Sequence, residues 1–276
     1  MLQVSQLFIY PIKSLGGISV SEAEITDRGF KHDRRWMLID KNDRFLSQRE
    51  FAQMALLTVE INDNELVVSH KHELQKKLNI PIVPKTNQSI FASVWDDQFE
   101  TIRVDPEADK WFSMMLGFDC RLVYMPDETH RAVDERYAIN YDEITSLSDA
   151  YPFLLISEAS LEDLNNKLAE KLPMDRFRPN IVIKGAFPFQ EDEMEEFSIN
   201  GISFFGVKPC ARCIVTTINQ DNAQKGKEPL KTLSSYRLKG HKILFGQNLL
   251  HGGLGKIAVA DQIAIVKEKE PVLPNI

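Results

Sequence analysis

The sequence predicts a mainly β protein with a minority of helix, of the α+β class, arranged as two β-rich halves. Three observations lead there. Short runs rich in Val, Ile, Thr and aromatic residues recur at close spacing, bounded by Asn, Asp and Gly turns. Helical periodicity is confined to two stretches, one in each half. A polar tract over residues 127–149 separates the halves.

Taken in order, residues 2–10, 18–25 and 35–40 read as strands, the last turning through Lys41-Asn42-Asp43 into Arg44-Phe45-Leu46 as a hairpin. Strands at 56–61 and 66–69 follow, joined by the polar turn Asn62-Asp63-Asn64, and another lies at 99–104. Asp105 then caps a helix with Pro106 at its first position and Gly117 just past its end. Pro has no N–H to leave unpaired in a first turn, and Gly tolerates the left-handed exit. Trp111, Phe112, Met115 and Leu116 give this helix an apolar face for the core. The polar tract places a boundary near residue 125, hence domains of 1–125 and 126–276. Beyond it, Leu161, Leu164 and Leu168 stand at helical spacing within 157–172, and Ile181-Val182-Ile183 is a short apolar strand. Asn200-Gly201, between Phe197-Ser198-Ile199 and the run at 202–207, predicts a tight type I′ hairpin, because both central positions of that turn need positive φ. Strands at 243–248 and 257–266 complete a small closed or nearly closed sheet with protected edges.

With 276 residues, 43% of them hydrophobic and 26% charged, the chain can bury a substantial core. No apolar run approaches the roughly 18 residues of a spanning helix, and Met1-Leu2-Gln3-Val4 lacks the basic start of a signal peptide. A cytoplasmic protein with no membrane attachment is expected. Three cysteines argue against a disulfide framework. A net charge of −7 argues against nucleic acid as a partner, since phosphate contacts need a basic surface.

The tetrad Cys210-Ala211-Arg212-Cys213 carries the chemistry. Neighbouring positive charge favours thiolate, the form that binds soft metals or attacks electrophiles. A thioredoxin-like redox pair wants a strand-to-helix junction, whereas residues 214–218 read as a strand after the cysteines. A zinc site needs about four ligands, and beyond the tetrad the chain offers only Cys120 and six dispersed histidines. Both readings stay open beside the plain one, in which the cysteines pack as small hydrophobes. Cys120, just past a helix, is read as packing.

The run Val207-Lys208-Pro209-Cys210-Ala211-Arg212-Cys213-Ile214-Val215-Thr216-Thr217, then Glu228-Pro229-Leu230-Lys231-Thr232-Leu233, Tyr236-Arg237 and Phe245-Gly246-Gln247, resembles the MOSC-domain molybdenum enzymes, and among them the amidoxime-reducing proteins. Tyr10-Pro11-Ile12-Lys13-Ser14, Asp33-Arg34-Arg35-Trp36, Ser157-Glu158-Ala159-Ser160-Leu161 and Phe177-Arg178-Pro179-Asn180-Ile181 fit the same family in order. The resemblance implies an N-terminal β-barrel-like domain followed by a β-barrel MOSC domain with peripheral helices. It further implies a molybdenum cofactor on molybdopterin, with Cys213, the cysteine directly after the arginine, as metal ligand and catalytic residue. Cys210 is then a neighbour. The family's binding positions fall on Lys13, Ser14, Arg34, Arg178, Asn180, Ala211 and Arg212, on Asp149 and Ala150 through the backbone, and on Asn248. Arg presents a planar fork to phosphate oxygens, while Ser and Asn add hydrogen bonds without charge.

The implied activity is reduction of small N-hydroxylated compounds, namely amidoximes, hydroxylamines and N-hydroxylated bases. Electrons come from a separate ferredoxin, flavodoxin or flavoprotein reductase, because the chain has neither the Cys-x4-Cys-x2-Cys ferredoxin pattern nor a Gly-x-Gly-x-x-Gly fingerprint. The alternatives are a cofactor carrier and a sulfur carrier with a persulfide on Cys213. Pyridoxal phosphate belongs to the desulfurase half of molybdenum cofactor sulfurases and is not expected here. The membrane anchor of the mitochondrial relatives is likewise not carried over.

Overall fold

The computed structural model describes residues 1–273 and is mainly β, with few helices and several sheets. The largest sheet runs in the order Ile263–Glu268, Met194–Ile199, Ile202–Ala211, Lys242–His251, Phe153–Ser157, Ile181–Lys184, Gln3–Ile9 and Ile18–Val20. A bridge between Gln3 and Gln262, with Val4 N–H donating to Asp261 O at 2.9 Å and Ile263 N–H to Leu2 O at 3.0 Å, brings the first strand round to the far edge. The sheet is thereby nearly closed, and strands from the start of the chain complete it.

Its interior is filled by Leu7, Phe30, Phe153, Phe197, Phe204, Leu249 and Ile257. Phe197 and Phe204 face each other across the hairpin and stack at 5.6 Å. Burying each such ring stabilises the fold by about 2–3 kcal/mol. Between them the chain turns at Asn200 (φ 48°) and Gly201 (φ 76°), the type I′ geometry that the Asn-Gly pair predicts. Phe153–Ser157 and Ile181–Lys184 pair in parallel, and the first is buried at every position. A strand covered on both faces shows no alternation, so its period-2 signal is missing.

The N-terminal half adds two smaller sheets, Trp36–Ile39, Arg121–Tyr124, Asp97–Arg103 and Ser89–Val94, then Leu57–Asn62, Glu65–His70 and Glu73–Pro81. The helix Pro106–Leu116 is capped as expected: the Asp105 carboxylate accepts from Glu107 N–H, and Gly117 exits at φ 82°. Phe112 and Leu116 pack with Trp36, Leu57 and Leu122, and Cys120 joins them, its thiol pushed up by burial to about 11.

Several expectations are corrected. The run 18–25 is two strands, because the chain changes partner at Ser21: Ile18–Val20 pairs with Gln3–Ile9, and Glu22–Thr26 with Gly255–Ala258. The run 257–266 is also two, Gly255–Ala258 and Ile263–Glu268, divided where Ala260 turns at φ 76°. The helix in 157–172 covers only Glu158–Asn165, since the Asn165 amide pairs with both Leu172 N–H and Leu172 O and folds the chain back. Residues 214–218 are no strand. Ile214–Thr217 is a 3-10 turn, because the Thr216 and Thr217 hydroxyls donate to the carbonyls of Cys213 (2.9 Å) and Ile214 (2.7 Å), each three residues back. No helix among the described residues is long and apolar enough to cross a membrane.

Candidate functional site

One cavity gathers residues from seven stretches of chain. It is lined by Lys13, Ser14, Arg34, Arg49, Asp149, Ala150, Arg178, Asn180, Cys210, Arg212, Cys213 and Asn248, among others. Of the residues singled out from sequence, only Ala211 stays outside the lining; it is exposed and paired with Leu244 in the ladder. Three of the lining residues, Ser14 (φ 69°), Arg34 (φ 47°) and Arg178 (φ 54°), hold left-handed backbone. That conformation costs a non-glycine residue of order 1 kcal/mol or more and concentrates at ligand sites.

A buried tyrosine organises the floor. The Tyr10 ring lies between two guanidiniums, Arg34 at 4.4 Å and Arg178 at 4.3 Å, and its hydroxyl donates to Pro179 O at 3.1 Å. Gly17 packs against this ring so closely that a Cβ there would sit 2.3 Å from it. Arg34 donates to the buried Asp33 carboxylate (2.6 Å) and to Asn180 Oδ1 (2.8 Å), while Asn180 Nδ2 donates to Phe8 O (3.3 Å). The Arg178 guanidinium donates to Leu15 O at 2.7 Å. Burial pulls its guanidinium down to about 10, against a small upward pull from Tyr10, and Arg34 lowers it further.

On the opposite side, Lys13 is buried and donates to Leu147 O (2.8 Å) and Asp149 Oδ1 (2.7 Å). Burial lowers its ammonium to about 8 despite the Asp149 partner. Asp149 is half open to solvent. Desolvation works upward on its carboxyl, but Lys13 and Arg49 outweigh it and hold the group well below the usual carboxylate range. Arg49 donates to Asp149 Oδ2 at 2.7 Å and stacks on Trp95 at 4.5 Å. Its own desolvation is overcome by Asp149 and then by the neighbouring Cys213 sulfur, so it stays firmly cationic. The segment bearing Asp149 is strapped down by buried Arg131, which donates to the carbonyls of Ser146, Ser148 and Asp149.

The tetrad is delivered by the end of the strand Ile202–Ala211. Both thiols are free and partly exposed to the cavity. Cys210 has work of its own: its sulfur accepts from Arg212 Nη1 at 3.0 Å, while Nη2 donates to Phe177 O at 2.6 Å. Among the described residues, Arg212 Nε is buried without a hydrogen-bond partner. Cys213 caps the 3-10 turn and lies in the same cavity as Lys13, Arg34 and Arg178. Among the described residues no group of three or more His, Cys, Asp or Glu is placed to hold a metal, which leaves the zinc reading without a ligand set.

Five cationic side chains thus face one carboxylate in the lining, within a chain of net charge −7. Such an excess, with an unpartnered guanidinium nitrogen, fits an anionic ligand and a sulfur-bound centre beside it. Sequence reasoning misses Arg49, Arg131 and the role of the Tyr10 ring. Arg49 lies in Ser47-Gln48-Arg49-Glu50, with no local pattern to mark it, and its partners are distant in the chain.

Fold and cavity together define a β-barrel protein with a cationic anion site around a Cys-x-x-Cys pair whose two thiols both line it. Residues 1–119 match the MOSC N-terminal beta barrel domain, and residues 142–264 the MOSC domain. The chain is 36% identical to mitochondrial amidoxime-reducing component 1 of Mus musculus and 34% identical to that of Homo sapiens, in each case over 95% of this chain and 82% of the relative. It is 30% identical to a molybdenum cofactor sulfurase of Oryza sativa subsp. japonica, over 89% of this chain and 32% of that protein. The chain belongs to the MOSC-domain family that includes the mitochondrial amidoxime-reducing components.

Proposed function

We propose that this protein is a molybdenum-cofactor-dependent reductase of N-hydroxylated compounds, supplied with electrons by a separate protein. The observation that supports it best is the meeting of the Cys213 sulfur with five cations in one cavity, in a chain similar to two amidoxime-reducing components. Arg34, Arg178, Arg212 and Lys13 would hold the phosphate and pterin, with Ser14, Asn180 and Asn248 adding uncharged contacts. Cys213 would bind the metal, as a soft thiolate ligand does. When bound, the cofactor supplies two-electron cleavage of an N–O bond, in which two electrons and two protons convert N–OH to N–H and water.

The chain's own residues do the rest. The Arg34–Tyr10–Arg178 stack fixes two cations at a set spacing, so the anion they bind is held in one orientation. Cys210 aims the Arg212 fork through its sulfur and leaves the Cys213 sulfur free. The 3-10 turn after Cys213, tied by two threonine hydroxyls, keeps that sulfur facing the cavity. Asp149 offers a carboxylate that stays ionised and binds Lys13 and Arg49, so neither cation is neutralised by proton loss at neutral pH.

The test is turnover of benzamidoxime by molybdenum-loaded protein with a chemical electron donor. Cys213→Ser is expected to lose molybdenum and activity while staying folded, and Cys210→Ser to keep both in large part. Loaded wild-type protein that turns nothing over would favour a cofactor carrier, and Cys213→Ser with full activity would overturn the ligand assignment. NADH alone is expected to support no reduction.

A further inference from the structure

Against Arg49, which lines the cavity with Cys213, stands an aromatic side chain that is not itself part of the lining. Trp95 opens the two-residue loop between Ser89–Val94 and Asp97–Arg103, where Val94 pairs directly with Asp97. Its φ is 56°, a left-handed position that a tight hairpin ordinarily gives to Asn, Asp or Gly. A large aromatic residue there is strained. Burial does not compensate it, since the side chain is 51% exposed. Backbone strain of this kind clusters at active sites and ligand contacts.

The indole is nevertheless held firmly. Phe45, itself buried, meets it edge to face at 5.1 Å, and the Arg49 guanidinium lies 4.5 Å from its centroid. Arg49 is in turn fixed by Asp149 and lines the same cavity as Cys213. Ile214, the residue after Cys213, is 51% exposed as well. The sulfur therefore has a charged pocket behind it and exposed apolar side chains beside it. This polarity matches a molecule with a polar N–O end and a flat apolar body.

We infer that Trp95, held against Arg49 of the Cys213 cavity, is the platform that selects N-hydroxylated substrates with a flat aromatic body over those without one. The inference rests on the reductase reading for its substrate class. Stacking on an indole rewards a planar delocalised ring and gives nothing to a substrate lacking carbon.

The test compares benzamidoxime with hydroxylamine, which has no carbon body, in loaded wild-type, Trp95→Ala and Trp95→Phe proteins. Trp95→Ala is expected to raise the ratio of the two KM values about 10-fold, with kcat for benzamidoxime within about twofold, and Trp95→Phe to restore most of it. An unchanged ratio would overturn the inference, including the case where both KM values rise together or molybdenum content falls. If wild-type protein reduces neither compound, the reductase reading fails separately. Direct benzamidoxime binding, followed by saturation-transfer NMR on the loaded protein, then decides: a Kd raised about 10-fold in Trp95→Ala keeps the aromatic platform, and an unchanged Kd removes it.

Discussion

Arg178→Gln separates ligand binding from folding, and the structure gives both magnitudes. The guanidinium makes one charge-assisted bond, to Leu15 O at 2.7 Å, and one cation–π contact with Tyr10 at 4.3 Å. Losing these costs about 2–4 kcal/mol together. Against this stands the burial of the charge. Desolvation outweighs those contacts, since the guanidinium is lowered from 12.5 to about 10 even with Tyr10 beside it. Gln removes that cost, so the two effects nearly cancel and the cofactor-free protein should melt within about 3 °C of wild type. The cofactor sees no such cancellation. One charge-assisted contact to phosphate is worth about 2 kcal/mol, or about 30-fold in affinity. Elemental analysis after dialysis, beside a thermal melt of cofactor-free protein, reads both numbers. Unchanged molybdenum content would return Arg178 to a purely structural role. A large fall in the cofactor-free melting temperature would refute the cancellation.

Three other outcomes follow from the same cavity. Asp149→Asn strips the counter-charge from buried Lys13 and should cost about 1–2 kcal/mol, discounted because Asp149 is half exposed. The Asp149 carboxyl is held down in the native state, so its contribution is present above about pH 4 and fades as pH falls further; the variant's acid melting curve should lack that component. Lys13 runs the other way. Its native value near 8 lies below its ordinary 10.5, so the unfolded chain holds the extra proton between them, and stability should rise from about pH 8 to 10.5 in wild type but not in Lys13→Met, read by denaturant titration. Gly17→Ala forces the Tyr10 ring away from Arg34 and Arg178, with an expected loss of about 1–3 kcal/mol and lower molybdenum retention by elemental analysis; a normal melt would show that the ring has room to move.

How far the sequence carries depends on whether the deciding interaction is local. Asp105, Pro106 and Gly117 state a helix within their own thirteen-residue span, and the structure agrees. Asn200-Gly201 states a turn that needs two positive φ values, and both are present. Ile214–Thr217 misleads because β-branched residues favour strands on average, while two threonine hydroxyls bonded to carbonyls close a turn instead. Much of the cavity lining was legible through linked motifs. Arg49 was not, since its partners Trp95, Asp149 and Cys213 come from elsewhere in the chain. Trp95 was equally silent: nothing in Val94-Trp95-Asp96-Asp97 announces a strained, exposed indole.

The pairing of Gln3 with Gln262 bears on the order of events during synthesis. Translation delivers the strand Gln3–Ile9 more than 250 residues before its far-edge neighbour Ile263–Glu268. Until then the strand has one edge waiting, and Lys13, Arg34 and Cys213 cannot share a finished enclosure. Closing so long a loop is slow relative to local pairing. A chain cut short of residue 262 is therefore expected to leave this edge unpaired and to bind the proposed cofactor less well.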